Sequence, residues 1–188
     1  MRVRVVTPPQ PIVLLDQAKQ HLRVRHDHEN DLIKAYVAAA TGHIDGPAGW
    51  LRRSLGVQTL EARLDIAWSS DPVRLPFGPV LDLESIHYLE FAGGEALADL
   101  QEVELFGDEL LPTGHEFPWV AGSLRRGALR IVYDAGYEEV PPAITAAILL
   151  MVEDLYVNRG TVASGMSVTA IPMSTTVENL LTPFRVFA

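Results

Sequence analysis

The most constraining feature of the sequence is a helix-length stretch near its C-terminal end in which almost every residue is apolar. Residues 142–159 read PAITAAILLMVEDLYVNR, and Pro142 with the preceding Pro141 suits a helix N-terminus, where a missing N–H costs nothing. A helix that is apolar nearly all round is normally surrounded by protein. We therefore predict that this helix lies in a core and that its remaining apolar surface contacts a neighbouring subunit. The residues expected in that core or contact are Ile144, Ile148, Met151 and Leu155.

The same stretch is too short to cross a membrane. Its most apolar window, AITAAILLMV, has about ten residues, whereas a spanning helix needs roughly 20. The N-terminal MRVRVVTPPQP has no long apolar run before its prolines, so we expect an extended, exposed start and no signal peptide. Because 48% of the 188 residues are hydrophobic and 21% are charged, a real core can form. We expect a soluble protein with no membrane partner and a single domain over 1–188, with or without an elaboration.

Cysteine usage and charge exclude several classes of function. The chain has no cysteine, which excludes disulfides, a Cys-based zinc site and a thiol nucleophile. The net charge of −9 argues against a general nucleic-acid binder, because neutralising phosphates requires clustered Lys and Arg. A local basic patch stays possible at Arg52–Arg53 or at Arg125–Arg126.

Two shorter amphipathic patterns lie near the N-terminus. In residues 14–24, Leu15, Ala18 and Leu22 share one face at helical spacing. Residues 29–45 carry a longer apolar stripe that stops at Gly46-Pro47. That stripe consists of Leu32, Ile33, Tyr36, Val37, Ala40 and Ile44. We predict two helices within 13–45 that form a helical core with the helix over 142–159.

The middle of the chain changes to alternating patterns. Residues 56–68 alternate polar side chains with Leu60, Ala62, Leu64 and Ile66, which is a strand with one buried face. Residues 82–97 predict a hairpin that turns at Gly93-Gly94, and residues 127–137 predict another strand. A β-rich insertion over 56–137 between helical ends indicates the α+β class.

The last residues, 161–188, show little helical periodicity until TTVENLL, which Pro183 soon follows, and they predict a loop and an extended tail rather than core. The tail ends in Phe184, Arg185, Val186 and Phe187. Exposed aromatic side chains on a terminal segment favour docking into a groove of a partner. The alternative is that the tail packs back on its own domain, as terminal segments often do.

No pattern in the sequence points to catalysis, a metal or a cofactor. His26 and His28 flank Asp27 in a link between two predicted helices, with no second cluster at ligand spacing nearby. The adjacent acids Glu153 and Asp154 do not face each other on a helix, so they are not a carboxylate dyad by spacing. We therefore predict no catalytic, metal-binding or cofactor-binding residues and no enzymatic activity.

Several segments, taken in their order along the chain, form a pattern that identifies a protein family more specifically than any single segment does. VVTPP leads to LLDQAKQHLRV and HDHENDLIKAYVAAATGHID, then to RGALRIVYDAGYEEVPPAITAAILLMVEDLYVNRG, and finally to LLTPFRV. This order resembles the head–tail connector (adaptor) proteins of tailed bacteriophages, including those of phage-like gene transfer agents. The resemblance is strongest over 5–45, over 127–160 and at the terminal LLTPFRV, whereas 66–126 matches only in character.

The resemblance implies a structural role. Such proteins form a ring, typically dodecameric, beneath the portal protein, and they join the DNA-filled head to neck or tail-completion proteins. They extend the channel for passing DNA, which they contact without sequence specificity, and an acidic chain would let that DNA slide. The C-terminal segment commonly reaches the portal, which gives the Phe184–Phe187 tail a partner. The location implied is the neck of a virion or phage-like particle assembled in the bacterial cytoplasm.

Two other classes of function stay open on the residues alone. One is a small hydrolase-like enzyme with dispersed Asp, Glu or His residues, which a pocket with converging titratable groups would indicate. The other is a binding module for a host protein, which a lone exposed apolar patch on a stable dimer would indicate.

Overall fold

The computed structural model describes residues 2–66, 71–120, 122–123, 125–158 and 174–187. Backbone contacts divide the chain into two units, each built from two separate segments. The β unit consists of Met1–Gln10 and Arg53–Glu138, and the helical unit consists of Pro11–Arg52 and Glu139–Ala188. The mixed α+β composition is confirmed, while the single connector domain over 1–188 stays a prediction.

The β unit contains two antiparallel sheets. The larger sheet has five strands in the order β1–β2–β8–β4–β5, and the smaller has three in the order β3–β7–β6. The strands are β1 Arg2–Thr7, β2 Gln58–Leu64, β3 Val73–Arg74, β4 Val80–Leu89, β5 Glu95–Leu97, β6 Val103–Phe106, β7 Glu109–Pro112 and β8 Leu129–Ala135.

Alternation along the strands explains how the two sheets share a core. Leu129, Ile131 and Tyr133 of β8 are buried, and they cluster with inward-facing residues of β2, β4, β6 and β7. The Tyr133 hydroxyl donates to the Pro76 carbonyl oxygen at 2.6 Å, so this buried polar group is satisfied. Trp119 lies in the same cluster and stacks on Phe117 with ring centroids 4.5 Å apart.

The strand predictions in the middle of the chain are confirmed, with shorter bounds for two strands and a start at Val80 rather than 82 for the hairpin. β2 and β8 lie inside 56–68 and 127–137, and the predicted hairpin is β4–β5 with its turn at Gly93-Gly94. The N-terminal segment is extended and mostly exposed, as expected. It is also a strand of the large sheet, because Val3 and Arg4 of β1 pair with Ala62 and Glu61 of β2.

The helical unit has four helices in the described residues: α1 Leu15–Leu22, α2 Asn30–Ile44, α3 Pro142–Val157 and α4 Thr175–Leu181. Helix α3 contacts each of the other three. Its buried residues are Ile144, Ala147, Ile148, Met151 and Val152. On α2 the buried residues are Ile33, Val37, Ala40 and Ile44, which belong to the predicted stripe. No helix in the described part of the chain is long and apolar enough to cross a membrane.

Within the single chain, helix α3 is buried along one side only. Ala146 and Val157 are exposed, and Leu149 and Leu150 are half-buried. The single chain therefore leaves part of this apolar helix accessible. The helix ends at Val157 with Asn158 as its C-cap, two residues before the predicted end at 159, and Arg159 itself lies outside the described residues.

The prediction of an extended tail over 161–188 is wrong for residues 175–181, which form α4. The Ser174 hydroxyl accepts a hydrogen bond from the Val177 amide at 3.3 Å and caps the helix. Val177 and Leu181 are fully buried. Tertiary burial of these two side chains supports a helix that is too short to be stable by itself. The predicted loop over 161–173 falls outside the described residues.

We expect Gly136→Ala to destabilise the fold more than Gly93→Ala, its matched control. Both glycines have positive φ, +132° and +101°, so alanine is strained at each by about 1 kcal/mol or more. A Cβ on Gly136 would also lie 2.2 Å from the Gly56 carbonyl oxygen, whereas one on Gly93 would meet nothing within 4 Å. Urea unfolding should show a loss of about 3 kcal/mol for Gly136→Ala. Equal losses for the two variants would contradict the close approach of Gly136 to Gly56.

Candidate interaction surfaces

The C-terminal segment, residues 182–187, begins with a 3₁₀ turn at Thr182–Phe184 and continues as extended chain. The Val186 amide donates to the Leu51 carbonyl oxygen at 3.0 Å. This bond ties the segment to the loop that follows α2, within the helical unit. The end of the chain is therefore anchored by its backbone.

The Arg185 side chain anchors the same segment through aromatic rings. Its guanidinium carbon lies 4.1 Å from the centre of the Trp50 ring and 5.0 Å from the centre of the Phe187 ring. A cation over an aromatic face is attracted by the ring quadrupole, by about 0.5–1 kcal/mol at exposed sites. The guanidinium thus connects Trp50 to Phe187.

The predicted tail residues differ in whether their burial favours packing on their own unit or docking to a partner. Phe184, Arg185 and Val186 are half-buried, which favours packing on their own unit. Phe187 is 74% exposed and presents a large apolar surface to solvent. The four residues lie together, and only Phe187 is largely free for a partner.

The four residues predicted on α3 differ in burial. Ile144 and Ile148 are fully buried and Met151 is 7% exposed, so these three belong to the core of the helical unit. Leu155 is half-buried, closer to the exposed Val157 at the helix end. The expectation that these four residues lie in the core or in a subunit contact stays a prediction, and Leu155 is the one of the four whose side chain the single chain leaves partly accessible.

The histidines and acidic pairs make ordinary surface contacts. The rings of His26 and His28 stack with centroids 5.6 Å apart. His21 Nε2 lies 3.1 Å from a carboxylate oxygen of Glu153, which gives that residue a partner on α1. Among the described residues, no group of three or more His, Asp or Glu side chains could hold a metal ion.

One side of the five-stranded sheet carries a charged surface, which we call the arginine face. It consists of Arg2 and Arg4 on β1, Glu61 and Arg63 on β2, and Arg130 on β8. Register explains this grouping, because Arg63 lies opposite both Arg2 and Arg130, and directly paired residues point to the same side of a sheet.

A buried carboxylate organises the centre of the arginine face. Glu61 is 4% exposed, and its oxygens lie 2.8 Å from Arg4 Nη2 and 3.1 Å from Arg63 Nε. Burial would raise the pKa of Glu61, but hydrogen bonds from Arg4 and Arg63 outweigh burial and hold the pKa below its ordinary value. Glu61 is therefore ionised at neutral pH and neutralises part of the arginine charge.

Sequence reasoning missed the arginine face as a site. It considered Arg125–Arg126 because those residues are adjacent, whereas Arg2, Arg63 and Arg130 are far apart in the chain. A signal was present, since the alternation of β2 and β8 placed Arg63 and Arg130 on the side away from the core. The strand pairing that brings them together was not readable from the alternation.

The predicted resemblance to head–tail connectors is confirmed by a match to that family. Residues 12–92 match the family described as phage gp6-like head-tail connector protein. The match covers a little under half of the chain and includes α1, α2 and the strands up to β4. The segment 127–160, which also strongly resembles the family, lies beyond the matched residues. No curated protein matches the chain.

Solved structures show where the same fold occurs. A chain in the neck of an empty GTA particle, computed with C6 symmetry, matches with a TM-score of 0.76 and 20% identity, covering 100% of this chain and 97% of that chain. A chain in the neck of a native GTA particle, computed with C12 symmetry, matches at 0.70 and 19% with the same coverage. A chain in the virion of a native gene transfer agent particle matches at 0.66 and 18%, again over 100% and 97%.

We expect Glu61→Gln to destabilise the protein in a pH-dependent way. The folded pKa of Glu61 lies below the ordinary value of 4.5, so its ionised form adds stability that is present above about pH 4.5 and is lost as the pH falls through the folded pKa. Urea unfolding should show a deficit of about 1–3 kcal/mol at pH 7, and the deficit should shrink below pH 4.5.

The matched control is Glu84→Gln, on the exposed side chain of a β4 residue that has no ion pair among the described residues. Its unfolding free energy should stay close to that of the unsubstituted protein across the same pH range. A Glu61→Gln deficit that does not change with pH would contradict the role of the ionised carboxylate.

Proposed function

We propose that this chain, which carries the sequence pattern of the phage gp6-like head–tail connector family, is a ring subunit in the neck of a phage or phage-like particle. The ring binds the portal, links the DNA-filled head to the neck or tail, and continues the channel through which DNA passes. The observation that carries this proposal is the fold, which matches neck chains of GTA particles over the whole length of this chain. The role is structural, through shape and binding.

The symmetry of those particles supports a ring. The matched necks were computed with C6 and C12 symmetry. Head-to-tail contacts between identical chains generate closed rings when the rotation closes. We infer a ring with six-fold or twelve-fold symmetry for this chain as well.

Helix α3 offers apolar surface for the contact between subunits. Val157 is 69% exposed at its C-terminal end, and Leu155 is half-buried two residues earlier. Burying such side chains against a neighbouring copy is favourable by about 25 cal/mol per Å² of apolar area. Assembly would then complete the cover that the single chain leaves open.

The C-terminal segment offers Phe187 to the portal. Arg185 holds this segment against Trp50, and the Val186 amide is bonded to Leu51, so the segment loses less conformational freedom on binding than a free tail would. An exposed aromatic ring on an ordered segment is the kind of anchor that fills a pocket of a partner. Phe184, Arg185 and Val186 position that anchor.

The test of the ring is the mass in solution, measured by light scattering for the protein alone and after mixing with the portal protein of the same particle. A cyclic complex, formed alone or only with the portal, is the expected result. A chain that stays monomeric or dimeric in both conditions would overturn the connector role.

We expect Phe187→Ser to weaken portal binding while leaving the fold unchanged. The ring is 74% exposed, so its loss costs little stability, but it removes the apolar anchor. Loss of one buried aromatic anchor typically costs about 2 kcal/mol or more of binding free energy, which is about thirtyfold in Kd.

Phe106→Ser is the matched control, because Phe106 is 73% exposed at the end of β6 in the β unit. Calorimetric titration with the portal should show a weaker Kd for Phe187→Ser only. Equal effects of both substitutions, or no effect of either, would show that the C-terminal segment does not provide the anchor.

A further inference from the structure

A cavity of about 350 Å³ lies at one end of the arginine face. Its lining residues are Arg2, Arg63, Asp65, Arg126 and Gly127, so three guanidinium groups and one carboxylate surround it. Among the described residues, Arg2 and Arg126 have no ion pair. The chain as a whole carries a charge of −9, which makes a local surplus of positive charge unusual.

The fold builds the cavity from three distant parts of the chain. Arg2 and Arg63 are paired residues on β1 and β2 and point to the same side of the sheet. Arg126 lies in the turn before β8, and this turn is held by a hydrogen bond from the Gly127 amide to Asp65 Oδ1 at 2.6 Å. Gly127 has a φ of +68°, a conformation that glycine adopts without strain.

The charges around the cavity do not balance. Arg63 is paired with Glu61 at 3.1 Å, which leaves Arg2 and Arg126 facing the single carboxylate of Asp65, and Asp65 already accepts a hydrogen bond from the Gly127 amide. Further along the face, Glu61 neutralises Arg4 at 2.8 Å, and Glu95 neutralises Arg130 at 2.7 Å. Acidic partners therefore accompany the arginines elsewhere on the face but leave a surplus at the cavity. Uncompensated like charges repel one another, so a cluster of this kind favours binding of an anion.

We propose that this cavity binds backbone phosphates of DNA. The proposal rests on the proposed function, in which DNA passes the ring. Guanidinium groups match the geometry of phosphate oxygens and stay charged at all relevant pH values. Over the cavity and the arginine face together, five arginines stand against the carboxylates of Glu61, Asp65 and Glu95. A single carboxylate from another protein would leave part of this surplus unbalanced, whereas the closely spaced charges of a DNA strand neutralise several arginines together.

Such a contact would be independent of DNA sequence and weak. Phosphate contacts position a protein on DNA but read no bases. The acidic remainder of the chain opposes DNA approach, so the local arginines provide attraction only at short range. This combination suits a surface past which DNA moves.

The test compares the double variant Arg2→Ser/Arg126→Ser with the unsubstituted full-length protein. Fluorescence anisotropy with two short DNA duplexes of unrelated sequence, in phosphate-free buffer over a range of salt, gives the slope of log K against log salt. Each lost phosphate contact reduces that slope by about 1, so the double variant should reduce it by about 2 for both duplexes. Urea unfolding and light scattering of the same samples report fold and oligomeric mass.

Arg74→Ser/Arg125→Ser is the matched control, since it removes the same charge from two exposed arginines that do not line the cavity. Equal weakening by both double variants would overturn the proposal in favour of overall charge. A double variant that keeps DNA binding but loses oligomeric mass would overturn it in favour of an acidic group from a second copy.

No binding of either duplex by the unsubstituted protein at low salt would also overturn the DNA contact. The connector role is tested separately, through ring mass and portal binding. A failure of this inference alone would therefore leave a ring that still binds the portal.

Discussion

The register between β2 and β8 determines which chemistry each side of the large sheet presents. Leu60 pairs with Tyr133 and Ala62 with Ile131, so these pairs enter the core, while Arg63 pairs with Arg130 on the opposite side. Because side chains alternate strictly, a slip of one residue would turn arginines into the core and expose the apolar row. Burying even one unpaired charge costs several kcal/mol, so the packing of the core and the position of the arginine face have the same cause.

The features predictable from the sequence are those set by local periodicity. The alternation in β8 and the turn at Gly93-Gly94 are local, and the structure has both. Helix α4 has only seven residues, so its formation depends on burying Val177 and Leu181 rather than on its own periodicity. Pairing of β1 with β2 and the gathering of Arg2, Arg63 and Arg126 depend on contacts between distant segments, which local patterns do not encode.

The two predicted roles of the chain terminus are compatible because they fall on different residues. Arg185 and Val186 contact Trp50 and Leu51, whereas Phe187 keeps most of its surface in solvent. The aromatic residues of the terminal segment favoured docking to a partner. The contact between Arg185 and Trp50 was not predictable, because these residues belong to different segments of the helical unit. A segment held by its neighbours and exposed at its tip is ordered before binding, so a partner that binds the tip loses less entropy in ordering it.

The acidic composition and the arginine cavity act over different distances, which removes the apparent conflict between them. Fields from exposed charges are largely screened beyond about 8–10 Å at moderate salt, so the −9 of the whole chain weakly opposes DNA at a distance. At contact, guanidinium groups within hydrogen-bonding distance of a phosphate dominate the interaction. In the proposed DNA contact, a duplex moving past would be held where a phosphate meets the cavity. A larger number of unpaired arginines would bind the DNA more tightly and slow its movement. By neutralising arginines on the rest of the arginine face, Glu61 and Glu95 therefore also keep this contact weak.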